Sequence, residues 1–345
     1  MARGIVRAGV YLPAFTDGRR RVRGPDEDDF TLAATALERA VGLGAGPANE
    51  AALLPVGFPV PPELPIFARL LGTPLFPDDA SGRPGGLAGA IADASRRRGP
   101  VWVVVVSSDR DRSAVGPPGE GSVAFLFDDE AAVAAPGPDA ATPARGAADG
   151  GLGAALAYLN SVPRDGVGAR ARPDPTVGRP VPRVPADDRP APPSVSQGAF
   201  VPAPRYAESQ PSRWRFVAER CAACGRRAFP ARGRCPSCGA TEGLRRESLP
   251  TEGGQVVAAT WIAQGGQPTE FDAQVEGSGP YGVVLAEIAP DARVTLMVAD
   301  AGRDEIAVGC RVDTVLRRLY PIEGAWRYGR KAVPAAAAGA SAPVR

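Results

Sequence analysis

Four cysteines are the residues of this chain whose type and spacing most clearly predict chemistry. They form two CxxC pairs, ten residues apart, in the sequence CAACGRRAFPARGRCPSCG: Cys221, Cys224, Cys235 and Cys238. Zn²⁺ is commonly held by four thiolates in a tetrahedron, and such a closed shell leaves no position for water or substrate. The spacing therefore predicts one structural zinc ion in a small ribbon. A redox-active dithiol pair, or disulfides, is the alternative interpretation.

The glycines beside these pairs and the one remaining cysteine support the same interpretation. Gly225 and Gly239 suit tight turns in which backbone N–H groups point at sulfur and φ is positive. Cys310 opens a predicted strand, and we interpret it as a small buried apolar residue. A single cysteine beside four metal ligands indicates a reducing compartment. With no signal peptide and no apolar run of about 18 residues, we predict a cytoplasmic protein that contacts no membrane.

The absence of histidine narrows the possible chemistry. None of the 345 residues is histidine, which removes the commonest general base and the usual partner of a catalytic serine or cysteine. We therefore predict no catalytic residues. An acidic run is interpreted as a helix N-terminus rather than an acid/base or metal cluster: Asp26, Glu27, Asp28 and Asp29. The formal net charge of +2 argues against bulk attraction to nucleic acid.

Residues 1–130 are predicted to form a layered α/β domain. The continuous run VWVVVVSSD indicates a strand buried on both faces, and small residues at helical spacing precede it. Pro25 and the acidic residues after it favour the start of a helix. The predicted strands cover 4–12, 101–109 and 121–129, and the predicted helices cover 25–41 and 85–99.

The middle of the chain loses this pattern. We predict a Pro-rich linker or wrapping segment over 131–210, because 172–195 carries too many prolines for a helix or a central strand. Within it, only 151–160 has the pattern of a helix. A short amphipathic helix at 211–221 is then predicted to lead into the zinc ribbon, and helix and ribbon together cover 211–250.

Five strand candidates follow the ribbon, separated by turn signals that contain glycine or proline. They cover 254–264, 281–289, 292–300, 310–319 and 325–333. Five strands in about 80 residues predict a five-stranded β-barrel of the OB-fold type over 251–335. The last ten residues, 336–345, are predicted to be a disordered tail.

The order of helix, four-cysteine ribbon and barrel resembles a known family. The strings ERCAACGRRAFPARGRCPSCG, GPYGVVLAEI, VGCRV and GAWRYGRK, within roughly 205–335, resemble the zinc-ribbon/OB-fold family of acyl-CoA-associated proteins, whose ribbon is rubredoxin-like. That resemblance implies an accessory subunit that partners a thiolase-fold enzyme. For some members it also implies binding of acyl-CoA, or its channelling between active sites.

The first 130 residues resemble a second family. GIVRAGVYLP followed by GPDEDDFTLAATALERAV is similar to the opening of hydroxymethylglutaryl-CoA synthase, and GGLAGAIADASRRRGPVWVVVVSSD resembles the helix and strand after the nucleophile of the thiolase superfamily. This implies a thiolase-like half-domain. Where that superfamily has its nucleophilic cysteine, this chain has Ser81, Gly82, Arg83 and Pro84. We therefore predict a degenerate, non-catalytic half, in which no histidine activates Ser81.

Arginines and aromatic residues in the C-terminal half suggest two kinds of ligand. Nine arginines surround the ribbon, and four are candidates for binding the phosphates of acyl-CoA: Arg226, Arg227, Arg232 and Arg234. Nucleic-acid phosphates are another possible ligand, and for the nine arginines as a set we favour a solvated or partner-facing surface. Several barrel aromatics could stack on bases, but we assign them to packing: Trp261, Phe271, Tyr281, Trp326 and Tyr328.

The sequence thus favours a non-catalytic accessory subunit. The resemblances imply that it binds a thiolase-superfamily condensing or acyltransferase enzyme in a hetero-oligomer and assists acyl-CoA binding or channelling. Two alternatives stay open. An active thiolase-like acyltransferase would depend on Ser81, and a zinc-ribbon/OB module would bind single-stranded nucleic acid, which the low net charge disfavours.

Overall fold

The computed structural model divides the chain into two compact units. The described residues up to 180 belong to the first unit, and those from 203 to 335 belong to the second. The structure describes residues 2–13, 15–17, 20–24, 26–41, 51–57, 75–77, 86–107, 120–131, 152–162, 168–170, 179–180, 203–263, 271, 275, 279–322 and 325–335. No helix among these residues combines the length and the apolar character needed to cross a membrane.

A six-stranded mixed sheet forms the middle of the N-terminal unit. Its strands are β1 (Ala2–Tyr11), β4 (Ala51–Val56), β5 (Leu75–Pro77), β6 (Val101–Ser107), β7 (Gly121–Ala131) and β8 (Gly168–Arg170). They lie in the order β5-β4-β6-β7-β1-β8, and only β7 runs antiparallel to its neighbours. A smaller three-stranded sheet joins β2 (Phe15–Asp17), β3 (Arg20–Val22) and β9 (Arg179–Pro180).

Helices cover both faces of the six-stranded sheet. On one face, α2 (Gly86–Arg96) and α3 (Leu152–Ser161) pack in a core with alternate residues of β6 and β7. There the ring of Tyr158 meets Phe125 edge-on, with centroids 5.6 Å apart. On the other face lies α1 (Asp29–Val41), against β1. Burial from both sides explains why β6 is an uninterrupted apolar run.

The contact between α1 and β1 depends on a glycine. A Cβ atom added to Gly9 would overlap the backbone of Ala36 and Ala40, so the helix approaches the strand more closely than any side chain would allow. On the neighbouring strand, the Oγ of Ser122 donates a hydrogen bond to the carbonyl of Leu32 at 2.6 Å. The helix is therefore fixed to the sheet by both packing and a buried hydrogen bond.

Two predictions for the N-terminal unit need correction. The helix predicted for 25–41 begins at Asp29, because Asp28 caps it: the Oδ1 of Asp28 accepts from the N–H of Thr31 at 2.9 Å. The segment 131–210 is not a linker throughout. Leu152–Ser161 forms the helix predicted there and packs in the core, and Gly168–Arg170 adds a parallel strand beside β1.

The C-terminal unit starts with α4 (Ala203–Trp214), followed by the three-stranded sheet of the ribbon. The strands β10 (Val217–Cys221), β11 (Arg227–Ala228) and β12 (Leu244–Ser248) lie in the order β11-β10-β12, all antiparallel. The helix predicted for 211–221 is therefore wrong after Trp214. The helix ends at Trp214, and the chain turns through Phe216, whose φ is +48°, into a strand.

Five further strands pair in a closed ring. They are β13 (Gly254–Ile262), β14 (Tyr281–Ala289), β15 (Ala292–Val298), β16 (Arg311–Ile322) and β17 (Ala325–Pro334). The ring order is β13-β14-β15-β17-β16, and only the pair β15 and β17 is parallel. Alternate residues of β14, namely Val284, Ala286 and Ile288, contribute to its apolar core. The predicted tail, 336–345, lies outside the described residues.

Candidate metal centre

The two CxxC pairs meet at one end of the ribbon sheet. Cys221 is the last residue of β10 and Cys224 follows in the turn after it, while Cys235 and Cys238 lie in a second turn of the same kind. All four sulfur atoms lie within 4.8 Å of one another. The Sγ atoms of Cys221 and Cys238 are 3.6 Å apart, and those of Cys224 and Cys235 are 3.5 Å apart.

These distances fit one tetrahedral zinc ion. Zn–S bonds of about 2.3 Å place neighbouring sulfurs about 3.8 Å apart, close to the separations found here. All four cysteines are free thiols in the structure. With four sulfur donors, the shell would be closed, so the metal would stabilise the ribbon and supply no open position for chemistry. The geometry therefore supports the structural zinc site rather than a redox centre.

The backbone repeats the same turn at each pair. The N–H of Gly225 donates to the carbonyl of Cys221 at 2.9 Å, and the N–H of Gly239 donates to the carbonyl of Cys235 at 2.9 Å. Both glycines have positive φ, +71° and +78°, as the sequence predicted. A residue with a Cβ atom rarely adopts this conformation, so each glycine is needed for the turn that presents two sulfurs to one metal.

Backbone dipoles favour the thiolate form in the second turn. Hydrogen bonds from the backbone N–H groups of Cys238 and Ser237 lower the pKa of the Cys235 thiol. Cys221 and Cys235 are buried, whereas Cys224 and Cys238 are exposed, so one sulfur of each pair faces the interior. Four thiolates with one Zn²⁺ carry a net charge of −2, which the surrounding arginines offset.

Arg226 and Arg227, two of the predicted acyl-CoA ligands, lie beside the barrel, and Arg227 holds the ribbon to it. The Nε of Arg227 donates to Glu247 at 2.6 Å, and its Nη1 donates to the carbonyl of Pro290, in the β14–β15 turn, at 2.7 Å. Arg226 lies 3.7 Å from a carboxylate oxygen of Asp291 in the same turn, with both side chains exposed. Arg227 therefore has a structural role, while Arg226 stays accessible.

The other two predicted ligands are exposed on the ribbon. The Nε of Arg234 donates to the carbonyl of Gly239 at 3.3 Å, and Arg232 makes no side-chain hydrogen bond to another described residue. The backbone N–H groups of Arg232 and Gly233 bind the buried carboxylate of Glu219 at 3.0 and 2.8 Å. Sequence reasoning missed Glu219, a buried carboxylate within β10 that belongs to no motif.

The five barrel aromatics mostly take part in packing. Tyr281 and Tyr328 are buried, and Trp261 is partly buried. Phe271 lies 6.0 Å from Tyr281 between ring centroids, and Arg318 stacks over Trp326 at 4.7 Å. Packing accounts for these rings within the described residues.

The acidic run at the start of α1 is structural. Glu27 is fully buried, where it accepts hydrogen bonds from the N–H of Gly24 and from the hydroxyl of Tyr11. Asp29 pairs with the buried Arg23 at 2.8 Å, and Asp28 caps the helix. These contacts explain three of the four carboxylates without catalysis. The stretch 81–84, expected at the thiolase nucleophile position, lies outside the described residues.

Fold and site together define a zinc-ribbon protein with an attached barrel. The family model for the ChsH2, rubredoxin-like zinc ribbon domain matches residues 212–243, which contain all four cysteines. A DUF35 domain-containing scaffold protein of Methanothermobacter thermautotrophicus is 31% identical over 126 residues, which are 36% of this chain and 90% of that relative. The chain belongs to the family of DUF35 domain-containing scaffold proteins. Another such protein, from Methanocaldococcus jannaschii, is 27% identical over 35% of this chain and 83% of its own length.

Solved structures show a weaker similarity. An Ltp2-ChsH2(DUF35) aldolase is 23% identical over 40% of this chain and 98% of its own, with a TM-score of 0.30. The β-ketoacyl-[acyl carrier protein] synthase III of Thermus thermophilus is 20% identical over 36% of this chain and 51% of its own, with a TM-score of 0.29. An HMG-CoA synthase complexed with CoA is 15% identical over 38% of this chain and 42% of its own, and its TM-score is also 0.29.

Proposed function

We propose that this chain is a non-catalytic scaffold subunit that binds a thiolase-superfamily condensing or acyltransferase enzyme. The observation that carries the proposal is the 31% identity to a DUF35 domain-containing scaffold protein, of which 90% is covered. The role named for that relative is a scaffold, and a rigid zinc ribbon fixed to a barrel suits such a role.

The chemistry of the chain supports a role without catalysis. A four-sulfur zinc shell has no open position for a substrate. With no histidine in the chain, a serine nucleophile would lack its usual base. The buried carboxylate Glu27 is engaged with Tyr11 and Gly24, so it also has a structural explanation.

The choice of a thiolase-superfamily partner rests on the first 130 residues. Their resemblance to hydroxymethylglutaryl-CoA synthase is compatible with a sheet covered by helices on both faces. A degenerate thiolase-like half-domain would present a surface similar to that of a thiolase-superfamily subunit. An enzyme of the same superfamily could bind that surface as it binds its own second subunit. Such an interface would explain why a chain without a nucleophile keeps this domain.

The barrel and the exposed arginines support the proposed assistance with acyl-CoA. Five strands in the order β13-β14-β15-β17-β16 have the pattern of an OB fold, to which we assign them. Arg226, Arg232 and Arg234 are exposed on the ribbon, where guanidinium groups could reach the phosphates of the cofactor, and Arg227 positions them beside the barrel.

The experiment is to co-express the chain with a thiolase-superfamily enzyme encoded in the same genome and to purify through a tag on this chain alone. The expected result is a stoichiometric complex that turns over acyl-CoA only when both proteins are present. A lone chain that turns over acyl-CoA, and loses this activity in Ser81→Ala, would establish an acyltransferase instead. A lone chain that binds single strands with steep salt dependence would favour the nucleic-acid module.

A further inference from the structure

We propose that one face of the ribbon sheet binds an acidic surface of the partner enzyme through the exposed members, Arg220 and Arg245, of a row of three arginines. The inference rests on the proposed function, since the partner is the enzyme that the scaffold binds. Arg220 of β10 lies directly opposite Arg227 of β11 on one side and opposite Arg245 of β12 on the other. Residues directly opposite on neighbouring strands project from the same face, with Cβ atoms about 4.5–5.5 Å apart.

We call Arg220, Arg227 and Arg245 the arginine row. Their positive charges lie side by side on one face of the sheet, and this arrangement by itself lowers the stability of the fold. Like charges directly opposite each other on neighbouring strands are destabilising. Glu247 projects from the same face and pairs with Arg227 at 2.6 Å and with Arg220 at 3.3 Å. One carboxylate thus pairs with two of the three guanidinium groups and leaves Arg245 without a carboxylate partner among the described residues. Arg245 is exposed and has no hydrogen bond or ion pair to another described residue, so it is available to a partner.

The whole ribbon has an excess of positive charge. Residues 212–250 contain nine arginines and three glutamates, a formal charge of +6 that four thiolates and one Zn²⁺ would reduce to +4. Because the full chain carries only +2, the remaining residues carry a formal charge of −4. An uneven distribution of this kind steers an acidic partner toward the ribbon, although the net charge is small.

The surroundings of the arginine row favour a protein over a nucleic acid. Proteins that bind single strands place stacking aromatic rings among their basic residues. Phe229, two residues after Arg227, is instead packed edge-on against Phe216, with centroids 5.9 Å apart. Arginine is enriched at protein interfaces, where its planar donors can pair with carboxylates.

The ribbon also holds two members of the arginine row, Arg227 and Arg220, in place before binding. Arg227 is anchored to the carbonyl of Pro290 in the barrel as well as to Glu247, and Arg220 directly precedes the zinc ligand Cys221. Side chains that are already ordered lose less conformational entropy when a partner binds. Two members of the row, Arg220 and Arg227, are therefore ordered before binding, and Arg245 beside them is accessible to a partner carboxylate.

Two adjacent residues of β12 provide a matched test. Arg245 belongs to the row, whereas Arg246 projects from the opposite face, across from Glu219. We would compare R245E and R246E in the full-length, zinc-loaded protein, because both variants change the net charge equally. The association rate with the co-purifying thiolase-superfamily enzyme is measured at low and at high ionic strength. Zinc content and unfolding midpoint confirm that both variants are folded.

The expected result is that R245E lowers the association rate by about tenfold or more at low salt and flattens its salt dependence, while R246E changes it less than about threefold. Equal effects of both variants, or no effect of either, would overturn the proposal. Loss of binding to a fluorescent oligothymidylate in R245E alone, with enzyme association unchanged, would assign the face to nucleic acid. If the wild-type chain forms no complex, the proposed function fails together with the arginine-row proposal. If the wild-type chain binds the enzyme but the two variants behave alike, only the arginine-row proposal fails.

Discussion

Tyr206 and Tyr328 exchange two hydrogen bonds although 122 residues separate them along the chain. The hydroxyl of Tyr206 donates to the carbonyl of Tyr328 at 2.7 Å and accepts from its N–H at 2.9 Å. The indole N–H of Trp214 donates to the same carbonyl at 2.9 Å. Burial raises the pKa of Tyr206, so the hydroxyl stays protonated and remains a donor at neutral pH. Helix α4 is thereby fixed on β17.

Replacement of this hydroxyl should destabilise the C-terminal unit. In Tyr206→Phe the N–H of Tyr328 loses its acceptor in a buried position, and we expect the free energy of unfolding to fall by about 1–3 kcal/mol. Urea denaturation followed by circular dichroism measures the change. Arg205→Ala is the matched control, because its ion pair with Glu208 is exposed at both ends and contributes little. Equal stability of both variants would contradict the anchoring role.

Loss of one zinc ligand should empty the metal centre. We expect Cys224→Ser to reduce bound zinc from one ion per chain to nearly none, and to destabilise the ribbon, because three sulfurs do not complete the tetrahedral shell. Elemental analysis of the purified protein measures the content. Cys310→Ser, at a half-buried cysteine outside the four-sulfur cluster, should retain the metal. A wild-type protein that carries disulfides and no zinc would support the redox alternative.

Glu247, the carboxylate that pairs with two members of the arginine row, should make stability depend on pH. Hydrogen bonds from Arg227, and then from Arg220, lower the pKa of Glu247. Because the pKa of Glu247 is lower in the folded state, its ionised carboxylate stabilises the fold fully at pH values above the pKa of the unfolded chain, about 4.3. This stabilisation is lost as the pH falls through the pKa of the folded state. We expect the stability difference between wild type and Glu247→Gln to be constant at neutral pH and to shrink in acid. Unfolding curves across this range measure it, with the exposed Glu242→Gln as control.

The close contact of α1 with β1 predicts a strong effect of a small substitution. Gly9→Ala places a methyl group onto the backbone of Ala36 and Ala40, so the helix must move away from the sheet. We expect a loss of about 1–3 kcal/mol in the free energy of unfolding. Thermal or urea denaturation checks this, with Arg98→Ala, an exposed residue beyond α2, as the control. Unchanged stability would show that the helix does not approach the strand so closely.

Local patterns predicted much of this structure. The strand at 281–289 has the bounds expected from its alternation and its turn residues, and the positive φ of Gly225 follows from the knuckle motif. Two elements that contain proline were not predicted with their observed bounds. No strand was predicted at 51–56, where Pro55 lies within the buried parallel strand β4, and the helix predicted to start at 211 begins at Ala203, with Pro211 inside it. Proline is disfavoured at both places because it lacks an N–H.

The arginine row could not be predicted from local sequence patterns. The sequence reveals nine arginines near the ribbon, and motif reasoning selected those between the cysteine pairs. Only the register of three strands shows that Arg220, Arg227 and Arg245 stand side by side. Register depends on pairing between residues far apart in sequence, which no window of neighbouring residues contains.

The parallel pair β15 and β17 determines the order in which the C-terminal unit can form during synthesis. Met297 and Val298 pair with Lys331 and Ala332, so the ring stays open until the last strand has left the ribosome. Helix α4 cannot dock before β17 is synthesised either, because the helix is anchored to the backbone of Tyr328. The four zinc ligands emerge long before this. The ribbon can therefore take up its metal while the barrel strands are still being translated, and it gives the nascent chain an ordered element on which the barrel closes.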